Sequence, residues 1–282
     1  MSNETFFIPS DLGEACALLS DLGDKAIILA GGTDLMARFN RHRRNRKEVL
    51  VYVGDLSLDY IKETDGQMVI GACATLAEIA ASPLVRKELP LLSTACGEIA
   101  SPAVRNAATL AGNLGTNSRN ADGVAALLAL GTVVVIVSTT GENRMPIEEF
   151  ISTSKKQKFA NGGIVKQLEV CCLGTDDRWG WEKLKPRRGE GRSIVSVSVR
   201  AAMEGDICRN IRLVLGAMAA HPFVSKTAVQ ILEGKQLSPD LRETVAQEII
   251  TETEPTSDAR ATAWYRNKAA QALVRRILSQ IA

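Results

Sequence analysis

The stretch Ile27-Ile28-Leu29-Ala30-Gly31-Gly32-Thr33-Asp34-Leu35-Met36 constrains this chain more than any other. Its apolar start reads as a buried strand over 26–29, its two glycines as the turn that ends the strand. Thr33 or Asp34 then begins a helix that runs toward Asn40. Glycine has no Cβ, so Gly31 and Gly32 can take positive φ and let a ligand approach the backbone closely. Unpaired N–H groups in such a turn suit an anion such as a phosphate. The same pattern also serves as plain structural punctuation. It gains weight beside a second glycine stretch, Thr109-Leu110-Ala111-Gly112-Asn113-Leu114-Gly115-Thr116-Asn117.

Two glycine-bearing turns, each preceded by apolar sequence, suit a dinucleotide. One can hold the diphosphate while the other supplies further N–H groups and the short polar side chains of Thr109, Asn113, Thr116 and Asn117. Asp122 stands just before a helix expected over 123–130, where it can cap the helix, accept from a sugar hydroxyl, or do both. The pattern is not the Rossmann fingerprint, because no G-x-G-x-x-G follows a strand. No GK[ST] occurs either, which excludes a P-loop. His42 and His221 lack metal-ligand spacing, and no nucleophile–base arrangement is evident.

Composition narrows the class. Net charge is +2 and aromatic residues make up 4%, too little charge and too few rings for a nucleic-acid platform. No run approaches the roughly 18 apolar residues of a membrane span. The polar N-terminus has no apolar signal core, so a reducing cytoplasm is the expected home. Six cysteines are scattered without a CxxC pair, which argues against a zinc or iron–sulfur site built from this chain.

The rest of the chain reads as α+β. A helix is expected over 11–22 and strands at 49–53 and 68–72. Thr75 and Glu78 fit a capping box. A strand at 132–137 and a closing strand at 164–173 complete a first domain, 1–175, with subdomains of about 1–55 and 56–175. A second domain, 176–282, is expected to hold three antiparallel strands (179–185, 193–203, 207–218) and helices near 223–233, 239–252 and 258–280. Ser238 and Pro239 make a cap and first-turn pair. The basic run Arg41-His42-Arg43-Arg44-Asn45-Arg46-Lys47 reads as a solvated loop or, with Arg38, as a docking patch for an acidic partner or a charged ligand.

Ala30-Gly31-Gly32-Thr33-Asp34-Leu35, then Val104-Arg105-Asn106-Ala107-Ala108-Thr109-Leu110-Ala111-Gly112-Asn113 with Asp122, resembles the FAD-binding (medium) subunit of molybdenum hydroxylases. That family includes xanthine dehydrogenases, carbon monoxide dehydrogenases and 4-hydroxybenzoyl-CoA reductase. The stretch 181–188, Ile211-Arg212-Leu213-Val214-Leu215-Gly216-Ala217 and the stretch 257–266 resemble the family's C-terminal domain, so the likeness spans nearly the whole chain. It implies a two-subdomain FAD-binding fold of the vanillyl-alcohol-oxidase type, followed by a smaller α+β domain. It also implies FAD and electron transfer; with no His or Cys in the two glycine stretches, the FAD is expected to be non-covalent. The molybdenum cofactor would sit on a large partner subunit and the [2Fe–2S] clusters on a small one, with NAD⁺ or another acceptor taking the electrons.

Under the resemblance, Ile28, Leu29, Ala30, Gly31, Gly32, Thr33, Asp34 and Leu35 wrap the diphosphate. Ala108, Thr109, Leu110, Ala111, Gly112 and Asn113 form a second wall, and Asp122 holds a sugar hydroxyl. Ile99 lines the flavin, and Lys166 (or Val165) and Lys183 are later contacts. A cation at Lys183 would stabilise negative charge on reduced flavin; its plainer reading is an exposed strand lysine. Ala111 stands where many members have a second glycine. The chain also lacks the cysteine-bearing insertion of 4-hydroxybenzoyl-CoA reductase. Two other readings stay open: a self-contained flavin oxidoreductase of the same superfold, and a scaffold that has lost its flavin.

Overall fold

A computed structural model describes residues 5–41 and 48–282. Most of the basic run, residues 42–47, lies outside the described residues, and with it the docking patch expected there.

Three sheets organise the chain. The first is parallel and small: β1 (Phe6–Phe7), β2 (Ala26–Leu29) and β3 (Val49–Tyr52), with β3 in the centre. A helix over Leu12–Leu22 connects β1 to β2, as a parallel crossover requires. Asp11 caps it by accepting from the Glu14 N–H at 2.8 Å, and Ala15, Cys16 and Leu19 turn inward. Gly162 presses on this helix so closely that a Cβ there would lie 1.9 Å from the Cys16 carbonyl oxygen.

The second sheet is antiparallel. It comprises β4 (Ile61–Thr64), β5 (Gln67–Gly71), β6 (Val133–Ser138), β7 (Gly141–Pro146) and β8 (Ile164–Cys171), in the order β4-β5-β8-β6-β7. The β-branched run Val133-Val134-Val135-Ile136-Val137 suits an interior position between two neighbours. Between β5 and β6 lies a series of short helices, the first opened by the expected capping box of Thr75 and Glu78.

The C-terminal sheet has four strands where three were expected: β9 (Asp177–Leu184), β10 (Val195–Glu204), β11 (Ile207–Gly216) and β12 (Phe223–Val224). Phe223 and Val224, read from sequence as a helix start, pair with β11, and the helix begins at Lys226 behind a Ser225 cap. The terminal helix likewise starts later than expected, at Ala263. Asp258 holds the preceding loop by accepting from the N–H groups of Arg260 and Ala261.

Buried apolar residues form two clusters, one drawn almost wholly from residues 15–170 and one from residues 194–281. A helix over Asp122–Ala129 joins the halves, and every residue in it is buried. Its sequence of small and branched apolar residues allows packing on all sides. Ser198 of β10 donates to the Ala125 carbonyl at 2.7 Å, and Arg212 of β11 reaches the Leu128 carbonyl at 2.7 Å. The C-terminal sheet therefore rests on a helix of the first half, with a cleft beside the contact.

Candidate functional site

The two glycine turns meet backbone to backbone. A Cβ on Gly31 would lie 1.7 Å from the Ala107 carbonyl oxygen, so only glycine permits the approach. Gly32 has φ of 67°, in the left-handed region, whereas Gly31 does not; the expectation of positive φ holds for Gly32 alone. The helix after the turn starts at Leu35, and the Met36 N–H donates to the Gly32 carbonyl at 2.8 Å. Among the described residues nothing accepts from the N–H groups of Gly31, Gly32 or Thr33. All three residues line the cleft.

The second turn is held from behind. Leu76 N–H donates to Ala108 at 2.9 Å and Leu110 N–H to Ala74 at 3.2 Å, so the capped segment around Thr75 fixes the wall. The Thr109 hydroxyl accepts from the Gly112 N–H at 3.0 Å, and a Cβ on Gly112 would sit 2.8 Å from that oxygen.

Both turns line one cleft of about 1080 Å³. Ligand sites usually span about 300–1,000 Å³, so this one suits an extended ligand. Ile28 to Leu35, Ile99, Ala108, Thr109, Ala111, Gly112, Asn113, Asp122 and Lys183 all border it. Two expected residues do not. Leu110 is wholly buried in the first core, and Lys166 turns away to pair with Glu142 at 3.0 Å. That contact holds the Glu142 carboxyl below its usual range. Val165 borders the cleft in place of Lys166, as alternation along a strand dictates.

Asp122 departs from its expected capping role. It is the first residue inside its helix, and the cap position is Ala121, which has no side-chain bond. Its carboxylate points across to the C-terminal domain. Lys183 Nζ donates to Oδ2 at 2.6 Å, and the Ser193 hydroxyl donates to Oδ1 at 2.5 Å. The Lys183 and Asp122 side chains are 1% and 4% exposed, which excludes the exposed-lysine reading. Lys183 also donates to the Glu98 carbonyl at 3.0 Å. Two of its three donors are thereby engaged. Burial pushes the neighbouring Cys96 thiol up to about 12, with the Asp122 charge adding to it, so this thiol stays protonated and inert.

Sequence reasoning missed Ser193 and Arg38. Arg38 borders the cleft and pairs with Asp34 at 2.9 Å, offsetting a carboxylate beside the first glycine turn. Its helical spacing to Asp34 was the available signal. Ser193 gave none.

The residues fit FAD. Asn113 Oδ1 is buried beside the second turn with no hydrogen-bond partner, an acceptor that a ligand donor would satisfy. The free N–H groups of the first turn offer the complementary donors for a diphosphate. No histidine or cysteine is among the described residues bordering the cleft.

Residues 2–171 match the family model described as the FAD binding domain in molybdopterin dehydrogenase. The chain belongs to this family. Residues 182–281 match the CO dehydrogenase flavoprotein C-terminal domain. The medium chain of carbon monoxide dehydrogenase from Hydrogenophaga pseudoflava is 28% identical over 275 residues, covering 97% of this chain and 95% of that one. The FAD subunit of nicotinate dehydrogenase from Eubacterium barkeri is 25% identical, covering 100% and 97%. The solved carbon monoxide dehydrogenase of H. pseudoflava superposes with a TM-score of 0.93 at 27% identity, covering 99% of this chain and 97% of that one. As a member of the family, the chain is an FAD-binding medium subunit of the molybdenum hydroxylase type, an oxidoreductase component. The flavin-less scaffold reading is thereby set aside.

Proposed function

We propose that this subunit is an electron relay: FAD held in its cleft receives electrons from [2Fe–2S] clusters on a small partner subunit and gives them to NAD⁺ or another acceptor. The observation that carries the reading is the junction of the two glycine turns with the Lys183–Asp122 pair around one large cleft. The full-length likeness to medium chains of multi-subunit dehydrogenases supports it further. The large partner would oxidise the substrate, so substrate identity is decided outside this chain.

FAD supplies two-electron and one-electron redox chemistry in one group. The chain's residues bind, orient and tune. N–H groups of Gly31, Gly32 and Thr33 would hold the diphosphate, with Arg38 partly neutralising it. Asp122 keeps acceptor positions beyond those used by Lys183 and Ser193, so a sugar hydroxyl can still be held. Ile99 and Val165 present apolar surface and exclude water. The Lys183 ammonium places a fixed positive charge at the cleft wall, where charge appearing on reduction is stabilised.

The test uses the assembled complex carrying Gly32→Val, which should lack flavin. Substrate should still bleach the [2Fe–2S] absorption, while reduction of the external acceptor falls at least tenfold. Undiminished acceptor reduction by a flavin-free complex would contradict the relay.

A further inference from the structure

The Lys183–Asp122 contact has a third member that neither fold nor family match assigns. Ser193 lies in the segment between β9 and β10 and is 1% exposed. Its hydroxyl donates to Asp122 Oδ1 at 2.5 Å, while Lys183 donates to Oδ2 of the same carboxylate. The residue after Ser193, Ile194, is anchored through both its N–H and its carbonyl. Ile194 N–H donates to the Leu184 carbonyl at 2.8 Å, and the guanidinium of buried Arg266 donates to the Ile194 carbonyl. Ser193 therefore has little freedom to leave its acceptor.

Resting on the relay reading, we infer that Ser193 is a positioning residue for the flavin's redox poise: by occupying Asp122 Oδ1 it confines the Lys183 ammonium to Oδ2 and the cleft wall. A carboxylate with both oxygens free attracts an ammonium to a bridging position between them. With the Ser193 hydroxyl held on Oδ1, an ammonium moving to that position must compete with a fixed donor. The Glu98 carbonyl then holds Lys183 from a second side, at the border of the cleft. Removing the serine hydroxyl frees Oδ1 and lets Lys183 settle deeper against Asp122, away from the ligand. The positive charge felt by reduced flavin falls, and the oxidised form gains.

The test is the two-electron midpoint potential of the FAD-loaded chain, by equilibration with reference dyes. Ser193→Ala should shift the oxidised-to-reduced equilibrium about tenfold toward oxidised flavin, ~30 mV more negative, with FAD stoichiometry kept. Ser193→Thr, which restores a hydroxyl, should return the potential toward wild type. If the alanine variant does not fold, Ser193→Cys, a weaker donor of similar size, should show a smaller shift of the same sign. An unchanged potential in Ser193→Ala (or in Ser193→Cys in its place), when Lys183→Met in parallel shifts it, would overturn the inference and leave the relay reading standing. A wild-type chain that takes up no FAD would overturn both.

Discussion

The cleft has two kinds of wall. One is backbone: Gly31 against Ala107, left-handed Gly32, and the Thr109 turn held by residues 74–76. The other is side chain: Lys183, Asp122 and Ser193 meet from positions 61 and 71 residues apart. The backbone wall is local and needs particular residue types at adjacent positions. The side-chain wall exists only once β9 and β10 have packed beside the helix at 122–129. One wall accepts no added atom; the other accepts no missing charge.

Substitutions in each wall should separate these costs. The largest effect is expected from Lys183→Met, which leaves Asp122 buried and short of its cationic partner. Breaking such a pair costs about 3–5 kcal/mol, to be read from urea unfolding. Adding Asp122→Asn in the same chain should recover a substantial part of that loss. Strictly additive losses would mean that the two groups are not an energetic pair.

Next in size is Gly31→Ala, in the backbone wall. A single methyl must displace the Ala107 carbonyl, and overpacking of this sort costs about 1–3 kcal/mol. FAD occupancy should fall more than stability does, because separating the turns moves the diphosphate donors apart. Retained occupancy with lost stability would make Gly31 a packing residue only.

A smaller effect is expected at the cap of the second turn. Thr109→Ala removes the acceptor for the Gly112 N–H and should cost about 1 kcal/mol, with Thr109→Ser recovering most of it.

The smallest effect lies outside the cleft and contrasts with Asp122. Backbone N–H groups of Arg260 and Ala261, helped by Arg266, hold the largely solvent-facing Asp258 carboxyl down to about 2. A depressed folded value means that its contribution is present above the ordinary value of 3.8 and is lost as pH falls toward 2. Asp258→Asn should therefore cost under ~1 kcal/mol at neutral pH and flatten the stability loss between pH 4 and 2. A cost equal to that of Lys183→Met would erase the distinction between buried and exposed carboxylates.

The same division decided what the sequence disclosed. The interior strands β5, β6 and β8 carry apolar or β-branched runs and were legible, as were the caps at Thr75 and Ser238, which are read over adjacent residues. The four strands not foreseen, β1, β4, β7 and β12, all lie at sheet edges. Ile61–Thr64 and Gly141–Pro146 each bury little, so no strong period marks them. In the site, the glycine turns were legible as a pair, although the reason for Gly31 was not: it depends on a carbonyl at residue 107. Asp122 stood out through its position at a helix start, which suggested a cap. Its real partners come from the other domain, and an isolated serine such as Ser193 carries no local signal.

The account rests on one claim, that FAD sits against the left-handed turn at Gly32. Its most direct test is flavin content after purification of the wild-type chain and of Gly32→Val, with secondary structure checked by circular dichroism. Wild type should carry close to one FAD per chain, released to the supernatant by acid precipitation. The valine variant should keep its fold and retain under a tenth of that flavin, because a branched residue resists φ of 67° and its side chain crowds Leu29 and Met36. Equal flavin in the two proteins, or flavin that stays in the acid pellet, would contradict the account.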